Sequence, residues 1–170
     1  DARRAARWRL GLGFGLISNL GALNTPRFAL ESSLVFALPR GWLGARVSVG
    51  VGWATQDISD GTARASSRLV LLPIAIGAHY ELPLGRFAPY VSLAFLLSLV
   101  ATKNAVDGEP GQTRVDAAPG LLALGGCAMA IGPGALFLEA GWQQSRLETE
   151  QVSGLVGGLV LSGGFRLDLR

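Results

Sequence analysis

The sequence predicts an all-β protein in which eight antiparallel strands close into an up-and-down barrel. Three observations support this prediction. Apolar side chains recur at every second position in eight segments, glycine is abundant with 24 copies, and turn-forming sequences separate the segments. Each segment has one bulky apolar face and one face of small or charged residues, as in WRLGLGFGL at 8–16. Alternation with period two is typical of a strand whose two faces meet different surroundings.

The composition limits the classes of protein and of site. The 170 residues predict one domain, 1–170, with a short N-terminal arm at 1–7. The net charge of +3 comes from scattered arginines and the one lysine, a distribution that disfavours a nucleic-acid interface. Cys127 is the only cysteine, so the sequence predicts no intrachain disulfide, no metal site and no cofactor. The opening Asp1-Ala2-Arg3-Arg4 predicts a processed chain or an excised domain.

The first three predicted strands alternate most clearly, since bulky residues such as Leu10 and Leu12 are separated by single glycines. The fourth, fifth and seventh are less regular but keep two distinct faces. The sixth is ambiguous, because Leu121, Leu122 and Leu124 break the alternation. The predicted strands are 8–16, 28–38, 43–55, 67–82, 87–101, 115–130, 135–145 and 158–170.

The connections between these strands fall into two kinds. Three are tight Pro/Gly turns, and four are longer and polar. The two kinds alternate along the chain, so all the long loops are expected at one end of the barrel and both termini at the other. The predicted short turns are 39–42, 81–87 and 131–134, and the predicted long loops are 18–27, 56–66, 102–114 and 144–151.

The face opposite the bulky residues predicts where the barrel resides. It is mostly Gly, Ala and Ser, which suits the narrow lumen of an eight-stranded barrel. The bulky face then needs an apolar solvent, and a closed barrel is one of the two folds that lipid allows. Aromatic residues are concentrated near strand ends, as in the interfacial girdles of transmembrane barrels. These aromatics are Trp8, Phe28, Trp42, Trp53, Tyr80, Phe87, Trp142 and Phe165.

Two other folds compete with the transmembrane barrel. A soluble lipocalin-like ligand carrier would direct its bulky residues into a cavity and its charges outward. A helical membrane protein would use 117–138, a run of 22 residues without a charge. That run contains Pro119 and the Gly132-Pro133-Gly134 turn, and a helix would leave the alternating segments unexplained.

With these features the chain resembles the small outer-membrane β-barrel proteins of Gram-negative bacteria, of the OmpA/OmpX kind. The last strand carries the most specific part of the resemblance. Ser162, Gly164, Leu167 and Leu169 match the spacing of the assembly signal with which such barrels end. The sequence departs from it in having Leu169 where an aromatic residue is usual and in the trailing Arg170. The resemblance implies location in the bacterial outer membrane, short periplasmic turns and longer extracellular loops. It also implies outer-membrane lipids, lipopolysaccharide and the barrel-assembly machinery as partners.

Several charged residues share the small face and are expected inside the barrel. Buried charges must be paired, so an ionic network is expected to join Glu31 and Glu139 to Arg46, with Arg9 or Arg166 as further partners. Two interpretations remain: a gate in a narrow polar path, or a polar core that plugs the tube, and the plug is favoured. The residues of this predicted lumen network are Glu31, Arg46, Glu139, Arg166, Asp168 and Arg9.

His79 and Glu81 invite an acid–base interpretation, but they lie beside a short turn and no serine nucleophile is evident in register. The sequence therefore predicts no catalytic residues, and both side chains are expected to be hydrogen-bonded in the lumen. The long loops carry acidic tips above a set of arginines, an arrangement expected to aid solubility, bridge divalent cations, pair with lipid phosphates or contact an extracellular partner. The acidic residues are Asp57, Asp60, Asp107, Glu109, Glu148 and Glu150, and the arginines are Arg64, Arg68, Arg114 and Arg146.

The expected function is that of a non-enzymatic outer-membrane barrel with a side-chain-filled lumen, acting as a structural or binding protein or as a membrane anchor. The alternatives are a narrow pore for ions or small solutes and a soluble lipocalin-like carrier.

Overall fold

The computed structural model of the protein describes residues 6–18, 24–59, 64–106, 112–148 and 153–169. The described residues form eight strands. These are β1 (Arg7–Ser18), β2 (Asn24–Leu38), β3 (Gly41–Ser59), β4 (Arg64–Glu81), β5 (Phe87–Val106), β6 (Gln112–Ile131), β7 (Gly134–Glu148) and β8 (Ser153–Leu169).

The strands form one closed antiparallel barrel in sequence order, in which β8 returns to pair with β1. Closure brings Trp8 opposite Leu169, so the beginning of β1 and the end of β8 lie at the same end. The predicted all-β, eight-stranded, up-and-down barrel is confirmed. No helix of the described residues is long and apolar enough to cross a membrane. The uncharged run 117–138 belongs to β6, β7 and the turn between them.

The barrel is strongly staggered. A path that follows directly paired residues once around the barrel leaves β1 at Trp8 and returns to it at Ser18, ten residues further along the strand. Such a stagger tilts the strands by roughly 35–45° to the barrel axis. Residues at one level of the lumen therefore come from very different positions in their strands.

The two faces of each strand meet different environments. Bulky apolar side chains point outward, and Leu93, Phe95 and Leu138 have 67%, 74% and 72% of their surface exposed. The ambiguous sixth strand keeps strict alternation: Leu121 is outward, whereas Leu122 is only 4% exposed and faces the lumen. The alternation is hidden in the sequence because Leu121 and Leu122 place apolar side chains on both faces of the strand at this level.

The short turns lie where the sequence predicts them. Gly85 and Gly132 have φ values of +66° and +57°, in the left-handed region where glycine is favoured. The turn at 82–86 is further closed by mutual backbone hydrogen bonds between Leu84 and Phe87. These turns fix one end of the barrel.

At the opposite end the strands run further than expected. Pairing continues as far as Ser59 with Arg64, inside the predicted loop 56–66, and β5, β6 and β7 likewise enter predicted loops. Only 19–23, 60–63, 107–111 and 149–152 remain between strands at this end, all outside the described residues. Apolar alternation marks where the apolar belt ends, whereas backbone pairing continues beyond it through polar residues.

Two smaller expectations are wrong. Arg7 was assigned to the N-terminal arm, but it pairs with Val35 as the first residue of β1; residues 1–5 of that arm lie outside the described residues. The sequence predicts Trp42 to be one of the interfacial girdle aromatics, but it lies on the inward parity of β3. There the Arg7 guanidinium stacks 4.4 Å from the centre of its ring, at the mouth of the lumen.

Candidate functional site

The lumen is the candidate site, and it has two layers. The half near the short turns contains two clusters of ion pairs. The half near the other end contains a cluster of buried apolar side chains. That apolar layer consists of Ile17, Leu71, Ala75, Leu96, Val100, Leu122, Leu124 and Val160.

Arg46 joins two carboxylates from opposite sides of the lumen. Its guanidinium donates to both carboxylate oxygens of Glu139, at 3.0 Å and 3.1 Å, and also to Glu31. Glu31 is on β2 and Glu139 on β7, so this one side chain bridges the interior. All three residues are at least nine-tenths buried, which makes the pairing necessary for the charges to be tolerated.

Arg166 completes the same cluster from β8. Its Nε donates to Glu31, while Nη2 donates to the Tyr90 hydroxyl at 3.0 Å and lies 3.4 Å from Glu139. The guanidinium lies over the rings of Tyr90 and Phe137, whose centres are 4.4 Å and 4.2 Å away. These two cation–π contacts add to the ion pairs that hold this arginine.

A second cluster lies nearer the short-turn mouth. Arg9 donates to the two oxygens of Glu81, at 2.7 Å and 3.1 Å, and its Nε donates to Asp168 at 2.8 Å. Asp168 is the direct cross-strand partner of Arg9 at the β1–β8 seam, whereas Glu81 reaches it across the lumen from β4. Arg9 therefore belongs to this cluster and not to the Glu31–Glu139 pair.

His79 links the two clusters. Its Nδ1 lies 2.8 Å from the Ser92 hydroxyl oxygen, and its Nε2 lies 3.5 Å from Glu81. Ser92 pairs directly with His79 across β4 and β5, so the expectation that no serine stands in register is wrong. Ser92 also lies 3.4 Å from Arg46. The histidine is 2% exposed, and the cavity beside Ser92 measures about 10 Å³, the room of one water molecule.

Two glycines leave space for these side chains. A Cβ atom on Gly11 would lie 2.5 Å from Cγ of Glu31, and one on Gly126 would lie 2.7 Å from the Tyr90 hydroxyl. The glycines of the inward face therefore admit the long polar side chains that fill the tube.

Arg27 is the main residue that the sequence analysis missed, because it was assigned to a loop. It points into the lumen from β2, is 4% exposed, and its Nε and Nη1 atoms make no hydrogen bond. Gln143, which is completely buried, likewise has both amide atoms unpaired. With Arg27, and leaving aside Arg7 at the mouth and the Arg114–Asp116 pair at the far end, the described lumen contains four arginines and four carboxylates. The arginines are Arg9, Arg27, Arg46 and Arg166, and the carboxylates are Glu31, Glu81, Glu139 and Asp168.

The four residues of the predicted assembly signal divide between the two faces of β8. Ser162 points inward and donates to Glu139 at 2.9 Å, so it belongs to the lumen network. Gly164 also faces inward, opposite Gly13. Leu167 and Leu169 face outward, each 37% exposed.

The polar residues at the far end also divide between the two faces. Arg114 has inward parity and forms an ion pair with Asp116 at 3.0 Å. Arg68 is exposed on the outward face. Arg146 is outward, exposed and engaged in contacts. The side chains of Asp57, Arg64 and Glu148, and all of Asp60, Asp107, Glu109 and Glu150, lie outside the described part of the chain.

Comparison with solved structures identifies the fold. The chain is similar to a major outer membrane protein from Thermus thermophilus, with a TM-score of 0.56, 16% identity and coverage of 97% of this chain and 100% of that one. This chain shares its fold with small outer-membrane β-barrels. Neisserial surface protein A matches with a TM-score of 0.51 and 19% identity, over 96% of this chain and 97% of its own. Ail of Yersinia pestis, solved in complex with the heparin analogue sucrose octasulfate, matches with a TM-score of 0.52 and 17% identity, over 95% and 97%.

No protein-family model matches the sequence. No curated protein matches it either.

Proposed function

We propose that the protein is an integral barrel of the bacterial outer membrane with a non-enzymatic structural or binding role. On this proposal residues 1–170 are one barrel domain, which acts alone or anchors a longer polypeptide in the membrane. One observation carries the proposal: the closed barrel is covered by large exposed apolar side chains.

The outer surface is suited to lipid and poorly suited to water. Leu30, Phe95 and Leu138 expose 64% to 74% of their surface, and similar residues surround the barrel. Soluble monomers rarely expose apolar patches larger than a few hundred Å². Because the barrel is closed, every strand has two neighbours and no edge is left for lipid to desolvate.

The filled lumen supports a structural role over conduction. Arg46 spans the interior between Glu31 and Glu139, and the apolar layer lies along the same axis. A solute would have to break buried ion pairs and then pass Leu96 and Leu122. The lumen residues thus act as a plug that stabilises the tube from inside.

The contacts that join Glu81, His79 and Ser92 support a structural polar core and not the active site of a hydrolase. Glu81, His79 and Ser92 lie in the order of an acid–base–nucleophile triad. Yet Ser92 is 5% exposed, and the adjacent cavity holds no more than one water molecule. A substrate carbonyl has no position within reach of the serine.

The same proposal assigns two kinds of partner. Outward-facing Leu167 and Leu169 would be read by the barrel-assembly machinery before β8 closes on β1, and lipids and lipopolysaccharide would surround the finished barrel. Ail carries a sulfated ligand on the same fold, which supports binding roles for barrels of this size. In this chain a binding role falls to the end opposite the short turns.

Membrane fractionation together with heat-modifiable gel migration tests the proposal. A protein found in the outer-membrane fraction, whose unboiled form migrates faster than its boiled form, is the expected result. Single-channel recordings in planar bilayers should show no steady conductance. A chain that is monodisperse in water without detergent would contradict the proposal and favour the soluble carrier.

A further inference from the structure

A row of four polar side chains crosses the outward face of β3–β6. Thr55 pairs with Arg68, Arg68 with Lys103, and Lys103 with Thr113, each as direct cross-strand partners. All four are exposed. We call these four residues the cationic row.

The cationic row borders the apolar surface directly. The next outward row toward the barrel centre is Trp53, Val70, Ala101 and Val115, which are paired in the same way. Two residues of a strand rise about 7 Å, so the surface changes from apolar to cationic within one step of the pleat. That is the position of the headgroups if the apolar belt lies in a bilayer.

Among the described residues, the two cations of the row have no partner of opposite charge. Arg68 and Lys103 are direct neighbours, and like charges at directly opposed positions repel. Neither forms an ion pair with a described residue, whereas Arg114 nearby pairs with Asp116 at 3.0 Å. An anion bound between Arg68 and Lys103 would offset the repulsion between these two positive charges.

We propose that the cationic row binds a lipid headgroup that carries phosphate, such as that of a phosphorylated glycolipid of the outer leaflet. The planar Arg68 guanidinium matches two phosphate oxygens, the Lys103 ammonium supplies a second charge, and the threonine hydroxyls donate from either side. A lipid fits better than free phosphate, because Trp53 and Val70 offer the adjoining surface to acyl chains. This inference rests on the proposed outer-membrane location.

Native mass spectrometry in a maltoside detergent, which contains no phosphate, tests the assignment. The folded protein is titrated with bisphosphorylated lipid A, with its dephosphorylated form and with inorganic phosphate. Wild type should retain the bisphosphorylated lipid most strongly. The double variant Arg68→Ala/Lys103→Ala should bind it roughly 25-fold more weakly, since each cation contributes about a factor of five near a lipid surface.

A matched control removes two exposed arginines at the opposite end, Arg40→Ala/Arg86→Ala, and should leave lipid binding unchanged. Heat-modifiable migration confirms that each variant is folded. Equal retention by both double variants overturns the inference, as does equal affinity for the dephosphorylated lipid or for free phosphate. Loss of a protein dimer in the Arg68/Lys103 variant, without loss of lipid, would assign the row to a second copy and also overturn it. The proposed function survives these outcomes so long as the protein still folds as a membrane barrel.

Discussion

Arg9 and Asp168 are direct cross-strand partners at the seam of the barrel, with Nε of the arginine 2.8 Å from the carboxylate. The same guanidinium holds Glu81 across the lumen. One arginine therefore ties the first strand both to the last strand and to β4.

These two carboxylates should differ in their contribution to stability. Asp168→Asn leaves a partly exposed amide beside Arg9, because this side chain is 35% exposed, and should cost about 1 kcal/mol. Glu81→Gln removes the buried carboxylate that Arg9 and His79 share, which leaves Arg9 with Asp168 alone, and should cost about 3 kcal/mol or more. Urea unfolding in lipid vesicles measures both values. If both variants lost the same free energy of unfolding, burial of the carboxylate would not determine its contribution to stability.

Arg46→Leu should be the most damaging single change in the lumen. It leaves Glu31 and Glu139 buried with only Arg166 between them, at a cost of about 3–5 kcal/mol. Adding Glu139→Gln to this variant should restore part of the loss, because one buried charge is removed. The midpoint of heat-modifiable migration measures the stabilities, and bilayer recordings of the same variants detect any opened path. If Arg46→Leu changes neither stability nor conductance, the network has no role.

Gly11 and Gly125 form a matched pair for testing how tightly the lumen is filled. Gly11→Ala places a Cβ atom against the Glu31 side chain and should cost about 1–3 kcal/mol. Gly125→Ala faces outward with no atom within 4 Å and should be neutral or slightly stabilising. The difference in unfolding free energy between the two variants is the measurement. A neutral Gly11→Ala would mean that Glu31 moves freely and that the plug is loose.

Ser92 should be inert toward serine-reactive reagents in the folded protein. It is enclosed beside His79, so a fluorophosphonate probe should not label it. Ser92→Ala should lower stability by only about 1 kcal/mol through loss of its hydrogen bond. Labelling of the native protein that disappears in Ser92→Ala would contradict the structural role and revive an enzymatic one.

Arginine substitutions along β5 test whether the outward apolar surface of the barrel contacts lipid. Leu93 lies in the middle of the outward face and Phe87 at its turn end. In a bilayer, Leu93→Arg should cost about 2–4 kcal/mol and Phe87→Arg about 1 kcal/mol or less from the charge itself. Urea unfolding in lipid vesicles measures the loss of unfolding free energy in each variant. Equal small costs at both depths would indicate a surface in contact with water.

The alternation of side chains predicts which residues face inward, but not which of them meet. Glu31 and Arg46 belong to neighbouring strands, and their proximity follows from the sequence pattern alone. Arg166 reaches Glu31, whereas Arg9 reaches Glu81, because the ten-residue stagger sets the levels of distant strands. A single sequence contains no signal for that stagger.

The remaining differences have equally local causes. Ser92 was overlooked because its position opposite His79 depends on the length of the 82–86 turn, which sets the β4–β5 register. Arg27 was overlooked because its strand continues past the apolar pattern into residues that resemble a loop. In both cases backbone pairing, which leaves no mark in side-chain hydropathy, determined the outcome.

The seam contact also constrains how the barrel can be made. Arg9 and Asp168 are separated by 159 positions in the chain, so this arginine gains its second carboxylate partner only when the last strand pairs with the first. An open sheet inserted among the acyl chains would expose the unpaired guanidinium groups of the lumen arginines to hydrocarbon. We therefore expect the last strand to close on the first before the lumen arginines lose contact with water.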